Sequence, residues 1–374
     1  MINRVLSDIV RNRLGSGKAI VILGPRQVGK TTLIRHVLKS RMDDTLWLNA
    51  DEEDVRLMLS EASTARLRAL IGNKKIVVID EAQRVHDVGI KLKLITDGIP
   101  EVQLMVSGSS ALEIANRINE PLTGRKWEYN LYPISFEEMA LHHGLLDETR
   151  LIPHRLVFGY YPDVINYAGD EREVLTQLVD SFLYKDILSH EAFRKTDKLV
   201  NLLKALAFQV GSQVSYNELS KLVGLESRTV EKYIELLEQS FVIFRVSGFS
   251  RNLRTELKKG KKIYFYDNGI RNALIGNLNH LESRSDVGAL WENFVFSERK
   301  KYLQYHRIHA QMYFWRTTEQ QEVDYLEEMD GKLSAYEIKW QEKKSQKFSV
   351  TFMKNYPEAT CKFIHPGNVH EFIS

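Results

Sequence analysis

Gly24-Pro25-Arg26-Gln27-Val28-Gly29-Lys30-Thr31 fits the pattern G-x-x-x-x-G-K-[ST] and leaves few architectures open. Before it runs Ala19-Ile20-Val21-Ile22-Leu23, an unbroken apolar stretch that reads as a strand buried on both faces. After it, Leu33, Ile34, Val37 and Leu38 recur at helical spacing from Lys30 onward. A glycine-bearing loop between a strand and a helix cradles polyphosphate, because backbone N–H groups and the positive helix end surround the anion and glycine permits close approach. In such a loop Lys30 reaches the β and γ oxygens and the Thr31 hydroxyl ligates magnesium, so Gly24 to Thr32 form the expected ATP-binding segment.

Two further apolar runs, Lys75-Ile76-Val77-Val78-Ile79-Asp80 and Val102-Gln103-Leu104-Met105-Val106-Ser107, alternate with helical patterns at Asp54 to Ile71 and Ile90 to Ile99. Lys126 to Leu131 supplies a last strand. Strands of this kind, separated by helices, predict an α/β P-loop fold: a parallel sheet with helices on both faces. The strand at Ile76 to Ile79 ends in Asp80-Glu81, at the carboxyl edge where open α/β sheets bind ligands. Asp80 is therefore expected to support the magnesium ion and Glu81 to polarise the attacking water. The next tip reads Ser107-Gly108-Ser109-Ser110, where Ser109 fits either a contact to the γ-phosphate or an ordinary helix cap. Arg125, just before the last strand, fits an arginine finger acting on a neighbouring subunit, or a solvated surface arginine.

At 374 residues the chain has room for about two or three domains. Its 43% apolar and 27% charged residues exclude a disordered or fibrous chain. One cysteine, Cys361, excludes a disulfide framework and a Cys-rich zinc site. No apolar run approaches the roughly 18 residues that cross a bilayer, and the amphipathic start lacks a secretory segment, so a cytoplasmic protein without a membrane partner is expected. A net charge of +3 says little about nucleic acid in total, which leaves its local distribution as the informative quantity.

Beyond Pro133 the pattern turns helical, at Phe136 to His143, Glu171 to Ser189 and Lys195 to Val210. From Ser215 to Gln239 two short helices meet at Val223-Gly224-Leu225 and Phe241 to Phe244 follows, a helix-turn-helix with a strand behind it. Arg228 and Lys232 lie on the second helix together with Glu226, Glu231, Glu235 and Glu238, while seven basic residues between Arg245 and Lys262 face the single acid Glu256. The basic segment 251–262 suits phosphate contacts with nucleic acid, but the acids repel a duplex, so a winged helix used for packing fits as well. Past Arg284 come a helix, Gly288 to Lys301, and strands near Gln311 to Arg316, Glu322 to Glu328 and Leu333 to Trp340, with an Asp330-Gly331 hairpin between the last two. Period-two alternation sets Glu337 and Lys339 on one face, and the hairpin brings Asp324 beside them, with Glu292 on the helix before. An acid and an acid-x-Lys on adjacent strands form the constellation of restriction-type nucleases, with Asp324 and Glu337 holding a divalent metal and Lys339 orienting water. A solvated strand face, or such a fold kept only for assembly, fits the same residues.

The loop Gly24 to Thr32, with Asp80-Glu81-Ala82-Gln83-Arg84, Ser107-Gly108-Ser109-Ser110 and Leu122-Thr123-Gly124-Arg125, resembles a prokaryotic family of AAA+ ATPases. Phe158-Gly159-Tyr160-Tyr161-Pro162-Asp163 and Tyr184-Lys185-Asp186-Ile187 look like its middle signatures, although Tyr160 and Tyr161 stand where the family has a smaller Gly-Gly-Tyr-Pro pattern. The resemblance implies a P-loop ATPase domain at 1–133, a helical lid-like region at 134–210, a winged helix at 211–284 and a restriction-endonuclease-like α/β domain at 285–374. It further implies ATP and Mg²⁺ as cofactors and makes a homo-oligomer plausible.

Overall fold

Five strands set the first sheet: β1 (Ala19–Leu23), β2 (Thr45–Asn49), β3 (Ile76–Asp80), β4 (Gln103–Gly108) and β5 (Lys126–Asn130). All pair in parallel, in the order β2-β3-β4-β1-β5. Every residue of β1, β3 and β4 is buried, which is why these strands read as continuous apolar stretches. The edge strand β2 is only half-buried, and its apolar core of Leu46, Trp47 and Leu48 is too short to show a period between flanking acids, so the sequence pattern misses it. The expected helix at Asp54 to Ile71 is two helices, Glu53–Ser60 and Thr64–Ile71; Ser63 caps the second by accepting the Arg66 N–H at 3.3 Å.

The computed structural model describes residues 2–61, 63–109, 118, 121–182, 196–250, 260–342 and 347–374. They divide into two units, Met1–Pro133 with Gln239–Phe241, and Ile134–Glu238 with Val242–Ser374. Tyr184 to Ile187, Ser110, Arg251, Arg254, Lys258 and Lys259 lie outside the described residues.

In the second unit the helices Phe136–His143, Tyr216–Val223 and Ser227–Gln239 stand where the pattern puts them. Leu145–Phe158 was illegible because its buried face carries charge and its interior holds Pro153. Glu148, with no exposed surface, accepts from Arg155 Nε at 3.0 Å, Tyr160 Oη at 2.6 Å and His143 Nε2 at 2.8 Å. A buried carboxylate is tolerable when its lone pairs are filled in this way.

The bulky Tyr160-Tyr161 step is itself core, with both rings buried. Gly159 precedes it at φ +74°, and the Tyr160 N–H donates to Asp267 Oδ2 at 2.7 Å. Asp267 also accepts the Ile270 N–H at 3.0 Å, capping the helix Asn268–Leu274. Burial pushes the Asp267 carboxyl up, opposed by Lys301 and these N–H donors.

Seven strands form the second sheet: β6 (Gln213–Val214), β7 (Ile243–Gly248), β8 (Lys261–Phe265), β9 (Gln311–Arg316), β10 (Glu322–Met329), β11 (Lys332–Ile338) and β12 (Thr360–Ile364), ordered β12-β11-β10-β9-β7-β8-β6. The strands β6 to β8 and the C-terminal strands β9 to β12 are therefore one sheet. The join is the parallel pairing of Ser247 with Tyr313 and Gly248 with Phe314, which crosses the boundary expected at 284/285. Asp330 at φ 51° and Gly331 at φ 76° make the tight turn between β10 and β11. The helix Val287–Tyr305 lies against β8 and β11, with Phe296 stacked on Tyr264 at a centroid distance of 4.1 Å. Glu298, on the same helix, accepts the Phe136 N–H at 2.7 Å and Lys301 Nζ at 2.6 Å, so an ion pair anchors the amino end of Phe136–His143.

A Cβ on Gly159 would lie 2.1 Å from Asp267 Oδ1 at a backbone angle that L-residues avoid. Gly159→Ala should destabilise the fold by about 2–3 kcal/mol. Thermal denaturation measures this, and an unchanged midpoint would mean that the Asp267 carboxylate moves aside freely.

Candidate functional site

The P-loop is shaped by close backbone approach. Gly24 leaves β1 where the chain exiting β5 passes, and a Cβ there would lie 2.1 Å from Leu131 O. Gln27 at φ 60° and Gly29 at φ 91° turn the chain into the helix Lys30–Val37, which no side chain caps from Gly29. Pro25 and Val28 are buried beneath the loop, Arg26 is half-buried, and Gln27 and Thr32 face solvent. Arg4 fastens the loop from below, its Nη1 donating to Val28 O at 2.8 Å and its Nη2 to Tyr132 O at 2.7 Å. No motif marks Arg4, which precedes the first helix, Leu6–Arg11.

Lys30 Nζ donates to Gly24 O at 3.0 Å and Pro25 O at 2.8 Å, so the ammonium already lies across the loop. The Thr31 hydroxyl donates to Asp80 Oδ2 at 2.9 Å, and the Ser107 hydroxyl donates to the other Asp80 oxygen. A threonine hydroxyl and a carboxylate meeting at one point are hard oxygen donors, the set that magnesium takes. Glu81 follows Asp80 in a left-handed conformation, φ 53° and ψ 42°, with its N–H donating to Ser107 Oγ at 3.2 Å. Ser109, buried at the end of β4, accepts from Gln83 Nε2 at 2.9 Å. Thus Lys30, Thr31, Asp80, Glu81 and Ser109 all gather at the carboxyl ends of β1, β3 and β4.

Arg125 lies elsewhere. Its carbonyl accepts the Ala19 N–H at 2.9 Å, which puts it at the amino ends of β1 and β5, the opposite edge of the sheet from the P-loop. Its guanidinium donates to Asp97 Oδ1 at 2.7 Å. It does not reach the loop of its own chain.

The helix-turn-helix buries Val230, Tyr233, Ile234, Leu236 and Leu237 of its second helix. Its exposed face sets Arg228 and Lys232 against Glu235, so it carries little net charge. Lys262, counted with the basic segment, corrects that reading: it is buried, 3.0 Å from Glu292 Oε1 and 2.6 Å from Glu322 Oε1. Burial alone lowers its affinity for a proton, but the two carboxylates outweigh this and hold the ammonium above its ordinary range. It is therefore unavailable to a phosphate.

The hairpin does bring the C-terminal residues together. Lys339 Nζ lies 2.8 Å from Asp324 Oδ2 and 2.7 Å from Glu337 Oε2, and the Ile338 N–H donates to the same Asp324 oxygen at 2.8 Å. Glu292, by contrast, bonds to Lys262 and to Tyr264 Oη, the latter at 2.6 Å, within the electrostatic reach of Asp324 but turned to other partners. Among the described residues no three acid, histidine or cysteine groups converge as a metal site; Asp324 and Glu337, the two expected ligands, meet at Lys339, while Glu292 is bonded elsewhere.

Residues 16–140 match the family model described as AAA domain. Residues 149–281 and 287–370 match two domains of unknown function, DUF8612 and DUF4143. An uncharacterized protein of Mycobacterium tuberculosis is 25% identical over 335 residues, spanning 88% of this chain and 72% of that protein. One from Haemophilus influenzae is 25% identical over 306 residues, 74% of this chain and 73% of its own length. Among solved structures, the RuvB Holliday junction branch migration motor of Thermotoga maritima is 14% identical with a TM-score of 0.33, covering 70% of this chain and 92% of that one. The stretch that matches the AAA domain model holds all five strands of the first sheet. Among the described residues no helix is long and apolar enough to cross a membrane.

Burial, joined by Asp324, pushes the Glu337 carboxyl up to about 7, with Lys339 opposing. A carboxyl raised in the folded state destabilises the protein once it ionises, so its cost is absent below the ordinary range near 4.5, grows as pH rises and is complete above 7. Glu337→Gln should therefore melt higher than the parent at pH 8 in EDTA, with the gain shrinking toward pH 5. A pH-independent difference between the two melting curves would refute the raised carboxyl.

Proposed function

We propose that this chain, which carries an AAA-type P-loop domain over residues 16–140, binds ATP with magnesium at Gly24 to Thr32 and hydrolyses it. The observation that carries the reading is the Thr31–Asp80 contact of 2.9 Å beside a lysine held across the loop. Magnesium, when bound, neutralises charge on the β and γ oxygens. Lys30 exchanges the carbonyls of Gly24 and Pro25 for phosphate oxygens, while Thr31 and Asp80 are the ion's protein donors. Glu81 accepts a hydrogen bond from the attacking water and draws its proton. Ser109 reaches the γ-phosphate side from the β4 tip.

Arg125, on the opposite edge, serves a neighbouring subunit's nucleotide in a homo-oligomer. The cycle then drives conformational change in the second unit, and the basic residues of 251–261 offer it a route to nucleic acid. A slow nucleotide-gated switch that recruits partners through its winged helix is the alternative outcome, separated by whether DNA accelerates turnover. Lys30→Ala should lose nucleotide binding, whereas Glu81→Gln should retain ATP and lose turnover by about a hundredfold or more. Wild-type hydrolysis in Glu81→Gln would assign the water to another residue.

The approach of Lys339 to both Asp324 and Glu337 favours a second reading, a metal-dependent nuclease licensed by ATP. Under it, Mg²⁺- or Mn²⁺-dependent plasmid nicking by the wild type disappears in Asp324→Ala and Lys339→Ala. An intact plasmid with the wild type, across nucleotides and substrates, leaves the cluster as scaffold.

A further inference from the structure

Gln83, in the short turn Ala82–Arg84 after β3, has no part in the chemistry above. It is buried, and its carboxamide spans the tips of β3 and β4. Nε2 donates to Glu81 Oε2 and to Ser109 Oγ, the latter at 2.9 Å, and Oε1 accepts the Ser109 N–H at 3.4 Å. Both amide hydrogens and the carbonyl are thereby committed to the two residues at the strand tips.

The main chain of Glu81 is already fixed, by its left-handed conformation and by the bond from its N–H to Ser107. What remains free is the direction of its carboxylate, and a glutamate side chain carries up to about 2 kcal/mol of rotamer entropy. A general base must lie within hydrogen-bond reach of the proton it takes, so this freedom opposes catalysis. A neutral amide suits the task of removing it. It holds one carboxylate oxygen by a charge-assisted hydrogen bond and leaves the negative charge in place, which a lysine or arginine at the same spot would cancel.

We propose that Gln83 is a positioning residue for hydrolysis, aiming Glu81 and tying that aim to Ser109; the inference rests on the ATPase reading above. Gln83 touches neither nucleotide nor water. It acts through Glu81, so its removal lowers the rate of the chemical step and spares binding, which is made by Gly24 to Thr32 on another loop.

The experiment is ATP turnover paired with titration of a fluorescent ATP analogue, on wild type, Gln83→Ala, Gln83→Met, Ser109→Ala and the Gln83→Ala/Ser109→Ala double variant. Gln83→Met keeps the volume of the side chain and removes the amide, so it stands in if the alanine variant melts early. The expected result is a fall in kcat of about tenfold to a hundredfold for both Gln83 variants, with analogue affinity within about twofold of wild type. Because the two residues share one bridge, the double variant should lose less than the product of the single losses. Unchanged or faster turnover in Gln83→Met overturns the proposal, as does a loss of affinity in step with kcat, or fully multiplicative losses. A wild type that binds the analogue but never hydrolyses ATP sinks the ATPase reading and this one together; normal turnover in Gln83→Met sinks this one alone.

Discussion

A single buried carboxylate organises the first unit. Asp80 ends β3 with 5% of its surface exposed and takes hydroxyl donors from Thr31 and Ser107, which arrive from the helix after β1 and from β4. Hydroxyls satisfy its oxygens without cancelling its charge, and an anion kept this way in a protein interior attracts a cation. The order β3-β4-β1 makes the arrangement possible, because the three contributing tips are neighbours in the sheet. Lys30, one residue before Thr31, holds its ammonium on the loop carbonyls of Gly24 and Pro25, so the charges a bound polyphosphate would need are in place before any ligand arrives.

Much of this was legible in the sequence, for reasons that can be traced. Central parallel strands bury unbroken apolar runs, Ala19 to Leu23, Ile76 to Ile79 and Leu104 to Val106, so β1, β3 and β4 declared themselves, and the glycine loop and acidic pair are read directly from residue type and spacing. The parts that stayed hidden share a different physics. β2 is an edge strand with one covered side. The buried face of Leu145–Phe158 carries Glu148 and Arg155, charged residues that a hydrophobic pattern assigns to solvent. Gln83 lies within the run Asp80 to Arg84, yet an amide acquires meaning only when the distant Ser109 is brought beside it.

Charge runs were the least faithful guide. Lys262 reads as one more cation in a basic stretch, but it sits between Glu292 and Glu322 beneath the sheet surface. Such a buried pairing costs desolvation on both sides and is tolerable only with complementary partners in place, which Tyr264 completes by donating to Glu292. The local sum of charges therefore overstated what the surface offers a polyanion.

The join between β7 and β9 has a wider meaning. Residues 149–281 and 287–370 match separate domains of unknown function, yet their strands share one hydrogen-bonded sheet. Cutting the chain between them would strip a partner from β7 and from β9 and bare two interior edges to aggregation. Each stretch supplies the hydrogen-bonding neighbour that the other's interior edge needs, so the seam binds what two separate family models divide.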